Sequence, residues 1–175
     1  MSFISIRSMT VLAATAVAAA ASFAQQPTPR DNVAEAMLFN IPYGAPISLE
    51  RADAAINAAV VEAKKRNWPI SITVMDSGGN LVAFKRMDGA QLASIVVAET
   101  KARAAVTFRR ETKVFESRIQ EGGLVYLATL PGAIALRGGI PLVEAGKLIG
   151  SIGCSGASNA QDEVVCKVGA ATINK

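Results

Sequence analysis

Residues 138–156, GGIPLVEAGKLIGSIGCSG, organise the rest of this chain. It predicts two strands, Ile140–Val143 and Lys147–Cys154, joined by a Glu-Ala-Gly turn whose glycine can adopt the positive φ of a tight hairpin. Two further glycines, Gly150 and Gly153, fall inside the second strand. Because glycine within a strand often marks a close approach of another backbone or a ligand, we expect the rest of the chain to cover this hairpin.

Apolar periodicity around the hairpin predicts the other elements. Alternating residues over Ile70–Met75 and Leu81–Met87, separated by turn residues, indicate a first hairpin, and Ala133–Leu136 is expected to be a fifth strand. Helical spacing predicts four helices, over Ser48 to Asn67, Gln91–Arg110, Val114–Gln120 and Ala160–Ile173. The fold class is therefore α+β, a single domain with a five-stranded, mainly antiparallel sheet flanked by helices.

Two helix starts carry capping signals. Ser48 can cap the first helix, and Ser158 with Gln161 three residues later has the spacing of a capping box.

The N-terminus is typical of a secretory signal. In residues 1–24, Arg7 precedes an alanine-rich apolar run, and Ser22-Phe23-Ala24 fits a small-x-small cleavage site. The alternative is a membrane anchor, for which the apolar run is shorter than the roughly 18–20 residues that a span needs. We expect residues 25–47 to be a partly disordered leader, with a helical turn at Val33–Phe39 and extended chain at Tyr43–Pro46. The domain proper is expected over 48–175. Cleavage would make the protein periplasmic or secreted, with no further membrane association.

Composition excludes several functions. The 175 residues include no histidine, so Ser-His-Asp and Cys-His mechanisms are excluded, and we expect no metal site. The formal net charge is only +4, without a basic block interleaved with aromatic residues, and no nucleic-acid partner is expected. The two cysteines, Cys154 and Cys166, form either a disulfide, as export would favour, or two small buried apolar side chains.

Four pieces of the chain, in this order and spacing, resemble the GlcG/HbpS family of haem-binding proteins, which includes the C-terminal domain of PduO-type proteins. They are Asp76-Ser-Gly-Gly-Asn-Leu-Val-Ala-Phe, then Arg86-Met-Asp-Gly-Ala, then the Lys101-Ala helix with Thr107-Phe108, and lastly 138–156 with Asp162-Glu163. The resemblance covers about Ser48 to the C-terminus. It implies a five-stranded sheet with helices, a homo-oligomer, and binding of haem or a corrinoid. Ligation of the haem iron by histidine, as in some members, is impossible here.

A haem site needs an apolar slot, an axial ligand and cations for the propionates. The candidates for the axial ligand are Met87, Tyr126, Cys154, Thr107 and Thr112. The candidates for the propionate-binding cations are Arg86, Lys101, Arg109 and Arg110. We select as cofactor-binding residues Arg86, Met87, Lys101, Phe108, Tyr126 and Cys154. Further candidates are Thr107, Thr112, Arg109 and Arg110, although the two arginines can also complement the dipole at a helix C-terminus.

Three functions therefore compete. The leading one is an exported small-ligand binder, with haem as the expected cofactor and no assigned catalytic residue. The second is an enzyme for a small anionic metabolite, with Arg86 and Lys101 orienting a carboxylate and Asp76 or Glu99 as acid or base. The third is a structural oligomer without catalysis.

Overall fold

The computed structural model describes residues 40–174. The expected signal segment 1–24, the helical turn Val33–Phe39 and most of the leader 25–47 lie outside the described residues. The described part contains four α-helices, four strands and one 3₁₀ helix, Val125–Thr129. In chain order they are α1 (Leu49–Lys65), β1 (Ser71–Asp76), β2 (Leu81–Arg86), α2 (Ala93–Thr107), α3 (Lys113–Gln120), β3 (Gly139–Glu144), β4 (Lys147–Ser155) and α4 (Asn159–Ala170).

The strands form one antiparallel sheet in the order β2-β1-β4-β3. Both predicted hairpins are present, and β4 lies at the centre, with Ile152 opposite Val74 of β1 and Ile140 of β3. The prediction of five strands is wrong in number, because Ala133–Leu136 forms bends and irregular chain rather than a strand.

The outer edge of β3 shows why no fifth strand adds there. The Thr112 hydroxyl accepts a hydrogen bond from the Gly139 N–H (2.9 Å), and the Thr112 N–H donates to the Gly139 carbonyl (3.0 Å). The Asn174 amide continues the edge, accepting from the Val143 N–H (2.7 Å) and donating to the Pro141 carbonyl (3.0 Å). Side chains and loop backbone therefore satisfy the groups that another strand would need.

The segment before α1 is extended along β4, beyond the point where β1 ends. Tyr43 forms an isolated parallel bridge with Leu148. The Gly44 N–H donates to the Leu148 carbonyl (2.7 Å), and the Leu148 N–H donates to the Pro42 carbonyl (2.8 Å). The expectation of extended chain at Tyr43–Pro46 agrees with this pairing.

The two faces of the sheet have different covers. Helices α1 and α4 cover one face and enclose an aliphatic core, whose buried members include Ile56, Ile72 and Ile152.

Both predicted caps are confirmed, since the Ser48 hydroxyl accepts from the Arg51 N–H and Ser158 forms a full capping box with Gln161. Within residues 40–174 no helix is long and apolar enough to cross a bilayer.

Helix α2 covers the other face, and it lies very close to β4. A Cβ added at Gly153 would collide with the Ala98 carbonyl oxygen and would lie 2.6 Å from the Ala102 nitrogen. A Cβ at Gly139 would likewise collide with the Lys101 carbonyl. The glycines of the hairpin therefore allow the helix backbone to touch the sheet backbone, as the sequence predicted for a close approach.

We expect Gly153→Ala to lower the free energy of unfolding by about 2 kcal/mol or more, because the new methyl group must displace the α2 backbone. Urea denaturation followed by circular dichroism measures this change. Gly78→Ala is the matched control, since Gly78 is exposed and its added Cβ would meet only side-chain ends, Asn80 Nδ2 at 3.0 Å and Asp76 Oδ1 at 3.3 Å, and no backbone atom within 4 Å. If the two variants are equally stable, the close approach does not constrain the fold.

Candidate functional site

A pocket of about 390 Å³ opens where β2 ends beside α1. Helix α1 contributes Val60 and Lys64. The remaining lining residues are consecutive, from the end of β2 into the following loop: Lys85, Arg86, Met87 and Asp88. Two of the residues selected from the sequence, Arg86 and Met87, therefore lie in one cavity.

The pairing of β2 with β1 orients the two cations of the strand. Residues directly opposite each other on neighbouring strands share a face of the sheet. Lys85 lies opposite Ile72 and so faces α1, where its Nζ donates to Asn57 Oδ1 at 2.6 Å. Arg86 lies opposite Ser71 on the other face, and its Nε donates to the Ala90 carbonyl at 3.2 Å.

Met87 is held by its backbone at the inner side of the pocket. Its N–H donates to the Ile70 carbonyl (3.0 Å), and its carbonyl accepts from the Ala90 N–H (3.1 Å). Its side chain is half-buried against the core that also contacts Val60. The left-handed φ of Gly89, 81°, lets the loop turn back towards α2. Met87 thus packs against the core and also lines the pocket.

The rim of the pocket is positively charged. Lys64, Lys85 and Arg86 are exposed, and Asp88 is the single carboxylate among the lining residues. The half-buried Val60 and Met87 provide the apolar inner side. Such a site suits a ligand with an apolar body and negative charge at one edge.

Lys101 has a structural role that the sequence analysis did not predict. Its side chain is fully buried, and its Nζ donates to Asp162 Oδ2 (2.7 Å) and to the Cys154 carbonyl (3.0 Å). Burial lowers the pKa of the Lys101 ammonium and raises the pKa of the Asp162 carboxyl, while the attraction between the two groups opposes both shifts. The proposal that Lys101 holds a ligand carboxylate is therefore corrected, because the ammonium is inaccessible and already paired.

Cys154 is also corrected as an axial ligand. It forms a disulfide with Cys166, with 5.6 Å between the Cα atoms, and both residues are fully buried. A disulfide sulfur has no thiolate to offer a metal. Of the two alternatives for the cysteines, the structure shows the bridge, which ties β4 to α4 directly beside the Lys101–Asp162 pair.

Phe108 and Tyr126 lie outside this pocket. Phe108 packs edge to face on Phe115, with ring centroids 5.0 Å apart, and the Arg110 guanidinium lies over both rings. Tyr126 lies half exposed in the 3₁₀ helix. The structure thus brings Arg86 together with Met87 but not with the other selected residues.

The further candidates have other partners as well. The Thr112 hydroxyl is buried at the edge of β3, and Thr107 lines a second pocket of about 260 Å³ beside Tyr43. Arg109 stacks on Tyr43, with 5.5 Å from its Cζ to the ring centroid, and donates to the Ile41 carbonyl at 3.1 Å. These contacts fix the N-terminal segment against the end of α2.

Asp76 closes the turn of the first hairpin. Its Oδ1 accepts from the N–H groups of Gly78 (2.8 Å) and Asn80 (2.9 Å). Partial burial raises the pKa of Asp76, but the hydrogen bonds from Asn80, Gly78 and Gly79 outweigh it, so the pKa lies below its ordinary value. A carboxylate held ionised in a turn is a poor acid or base at neutral pH, and Glu99, the other candidate, lies half exposed on α2.

Sequence reasoning missed Lys64 and Lys85. Both are ordinary surface lysines in the sequence, and only the packing of α1 beside β2 places them around one cavity. The adjacency of Lys85 to Arg86 was the one local signal that could have indicated a cationic site. Within residues 40–174, no cluster of three or more His, Cys, Asp or Glu side chains could hold a metal ion.

Comparison with known proteins places these features in a family. The family model described as haem degrading protein HbpS-like matches residues 47–171. Protein GlcG of Escherichia coli K12 is 41% identical over 109 residues, which are 62% of this chain and 81% of GlcG. The chain therefore belongs to the HbpS-like family, and the resemblance seen in the sequence is confirmed.

Solved structures agree with this assignment. The crystal structure of HbpS matches with a TM-score of 0.69 and 32% identity, covering 81% of this chain and 100% of HbpS. The structure of a complex of PduOC with haem matches with a TM-score of 0.67 and 28% identity, covering 74% of this chain and 96% of PduOC. The fold is that of the GlcG/HbpS proteins.

The buried ion pair yields a stability prediction. We expect Lys101→Met to lower the free energy of unfolding by about 3–5 kcal/mol, because it leaves the Asp162 carboxylate buried without its cation. Adding Asp162→Asn should recover most of this loss, since the amide is neutral and keeps an oxygen for the Ala157 N–H, which now donates to Asp162 Oδ1 at 3.0 Å. Denaturant unfolding of the single and double variants provides the measurement.

Arg51→Met is the control for this experiment. It removes the cation of the exposed Arg51–Glu144 salt bridge, in which Arg51 Nη1 lies 2.6 Å from Glu144 Oε2. It should lower the free energy of unfolding far less than Lys101→Met does, because the remaining carboxylate is solvated. A Lys101→Met variant as stable as Arg51→Met would contradict the structural role of the buried pair.

Proposed function

We propose that this protein binds haem, or a related tetrapyrrole, at the pocket lined by Lys64, Lys85, Arg86 and Met87. One observation carries the proposal. Arg86 and Met87, which the sequence offers as a cation and an axial donor, line one cavity whose rim is cationic and whose inner side is apolar. Membership of the HbpS-like family and the similarity to PduOC, which has been crystallised with haem, support it.

The donor set of the pocket fits such a ligand. A haem carries two propionates at one edge, which suit the cations of the rim, and an iron that accepts a thioether ligand. Met87 holds the one sulfur among the lining residues. When bound, haem would supply the iron for redox chemistry or gas binding. In this chain Arg86 would orient the propionate edge, Met87 would hold the iron side, and Val60 would exclude water from the macrocycle.

The size of the pocket limits the binding mode. A volume of about 390 Å³ lies at the lower end of ligand pockets, which span about 300–1,000 Å³. It would hold the carboxylate edge and part of the ring, so the remaining edge of the macrocycle would stay accessible or be covered by another subunit.

The competing enzyme hypothesis has less support. It required Arg86 and Lys101 to grip one carboxylate, with Asp76 or Glu99 as acid or base. Lys101 is instead sealed in the core with Asp162, and Asp76 is engaged in its own turn. The residues needed for that chemistry therefore do not meet around Arg86.

We also propose a homo-oligomer. Exposed apolar side chains just before α2, on α2 and in the 3₁₀ helix support this, with 74% exposure for Leu92, 66% for Val96 and 68% for Val125. Light scattering coupled to size exclusion tests the proposal. A monomer at micromolar concentration would oppose it, whereas an oligomer that Val96→Lys dissociates would support it.

Export to the periplasm or the medium is the proposed location. The signal-like residues 1–24 motivate it, and the buried Cys154–Cys166 disulfide supports it because such bridges persist in oxidising compartments. Mass spectrometry of the protein isolated from its own cells is the test. An N-terminus at Gln25 with no free thiol is expected, and an intact N-terminus with two free thiols would refute export.

Titration with ferric haem tests the proposed function. We expect the protein from Gln25 to Lys175 to give a saturable, stoichiometric Soret shift, and Arg86→Ala to raise the dissociation constant about tenfold through loss of a charge-assisted contact. Met87→Leu keeps the size and the apolar character of the side chain, so it should change the spectrum of the bound haem more than the affinity.

Phe108→Leu and Tyr126→Phe are the controls, since neither residue lines this pocket. Both variants should bind haem as the parent protein does. If Arg86→Ala binds normally while Tyr126→Phe or Phe108→Leu does not, the proposed site is wrong. A change in absorbance that never saturates would argue against specific haem binding altogether.

A further inference from the structure

We infer that Lys64 and Lys85, with Arg86, select the ligand through its free carboxylates, so that the pocket takes anionic tetrapyrroles and discriminates against neutral ones. This inference rests on the proposed function and deepens it. It assigns a specificity role to two exposed lysines, one on α1 and one on β2, that form no salt bridge within the described residues 40–174.

The cations of the pocket differ from several others in the described part of the domain in having no carboxylate partner. Elsewhere in the described chain, several cations have a carboxylate partner, including Lys101 with Asp162 at 2.7 Å and Arg137 with Glu116 at 2.9 Å. Among residues 40–174, no carboxylate lies within 4.0 Å of the charged nitrogens of Lys64, Lys85 or Arg86. Three cations line a cavity in which Asp88 is the single lining carboxylate, and this excess of positive charge favours the binding of an anion.

Two of these cations are held in place by neutral groups and keep further N–H donors free. Arg86 uses its Nε for the Ala90 carbonyl, which fixes the guanidinium and leaves its two terminal nitrogens for a ligand. Lys85 uses one N–H for the neutral Asn57 amide, which holds the ammonium beside α1 with two N–H groups to spare. Lys64 lies on the same helix, two turns after Asn57. The three cations therefore flank the end of β2, with Lys64 and Lys85 on the α1 side of the sheet and Arg86 on the other side.

The chemistry of the pocket matches that of an anionic tetrapyrrole. Two carboxylates at one edge of an apolar ring need several cationic donors at the rim and an apolar surface behind them. The pocket supplies three cations at its rim and Val60 with Met87 inside. Esterification removes the negative charges of the ligand while leaving its ring and iron intact. A haem diester should therefore lose the contacts to the lysines and keep those to the inner side.

The experiment compares the dissociation constants of ferric haem and haem dimethyl ester, measured by absorbance in one detergent-containing buffer. We expect the parent protein to bind haem at least about tenfold more tightly than the diester. Lys64→Gln and Lys85→Gln should each weaken haem binding about fivefold and leave diester binding unchanged. The ratio between the two dissociation constants should therefore decrease in both variants. Raising the salt concentration should weaken haem binding alone.

Lys65→Gln is the matched control, because Lys65 is the neighbouring exposed lysine of α1 and does not line the pocket. It makes the same charge change and should leave both constants as they are. All substituted side chains are exposed, so thermal midpoints should stay the same. If Lys65→Gln weakens haem binding as much as Lys64→Gln does, net charge and not the pocket governs affinity, and the inference is overturned.

The remaining outcomes separate this inference from the proposed function. If haem and the diester bind saturably with equal affinity, and both lysine variants bind like the parent protein, haem binding stands and carboxylate selection is wrong. If neither compound binds saturably, the proposed function fails, and the inference fails with it.

Discussion

Helix α2 lies against strand β4 at a separation that requires glycine at position 153, and this contact governs the arrangement of the domain. Once the helix backbone touches the strand, Lys101 is carried into the interior, where it needs Asp162 as a partner. Asp162 lies in α4, so the ion pair fixes α4 relative to α2, and the Cys154–Cys166 bridge fixes α4 to β4 beside it. A buried pair of this kind gains little against an apolar core, but losing one partner is costly, which makes the arrangement specific.

The contacts among α2, β4 and α4 separate the candidate ligand-binding residues into two groups, those of the core and those of the exposed edge. Lys101 and Cys154 lie in segments that resemble the HbpS-like family, and they join α2, β4 and α4 to one another. Arg86 and Met87 lie at the end of the edge strand β2, where the polypeptide is exposed and the sheet is open to a ligand. The rigid centre and the accessible edge are thus different parts of one sheet, which allows the edge to bind a ligand on a fixed framework.

Local signals predicted much of the fold, and long-range contacts decided what they missed. The caps at Ser48 and Ser158 and both hairpins follow from neighbouring residues. The absence of the fifth strand depends on Thr112 and Asn174, which reach β3 from 27 and 31 residues away. The same distinction applies to the candidate site. Arg86 and Met87 could be predicted together because they are adjacent in the sequence. The Lys101–Asp162 pair spans 61 residues, and Lys64 reaches the pocket only through the packing of α1, so neither could be predicted. No spacing rule connects such positions.

We propose haem recognition at the exposed end of β2, whereas Lys101 and Cys154 lie in the core. A crystal structure of the protein with ferric haem would test this most directly. We expect the macrocycle to lie against Met87, with its propionates within hydrogen-bonding distance of Arg86 and of Lys64 or Lys85. A haem seated instead on Phe108 or Tyr126, with the pocket beside α1 empty, would contradict it.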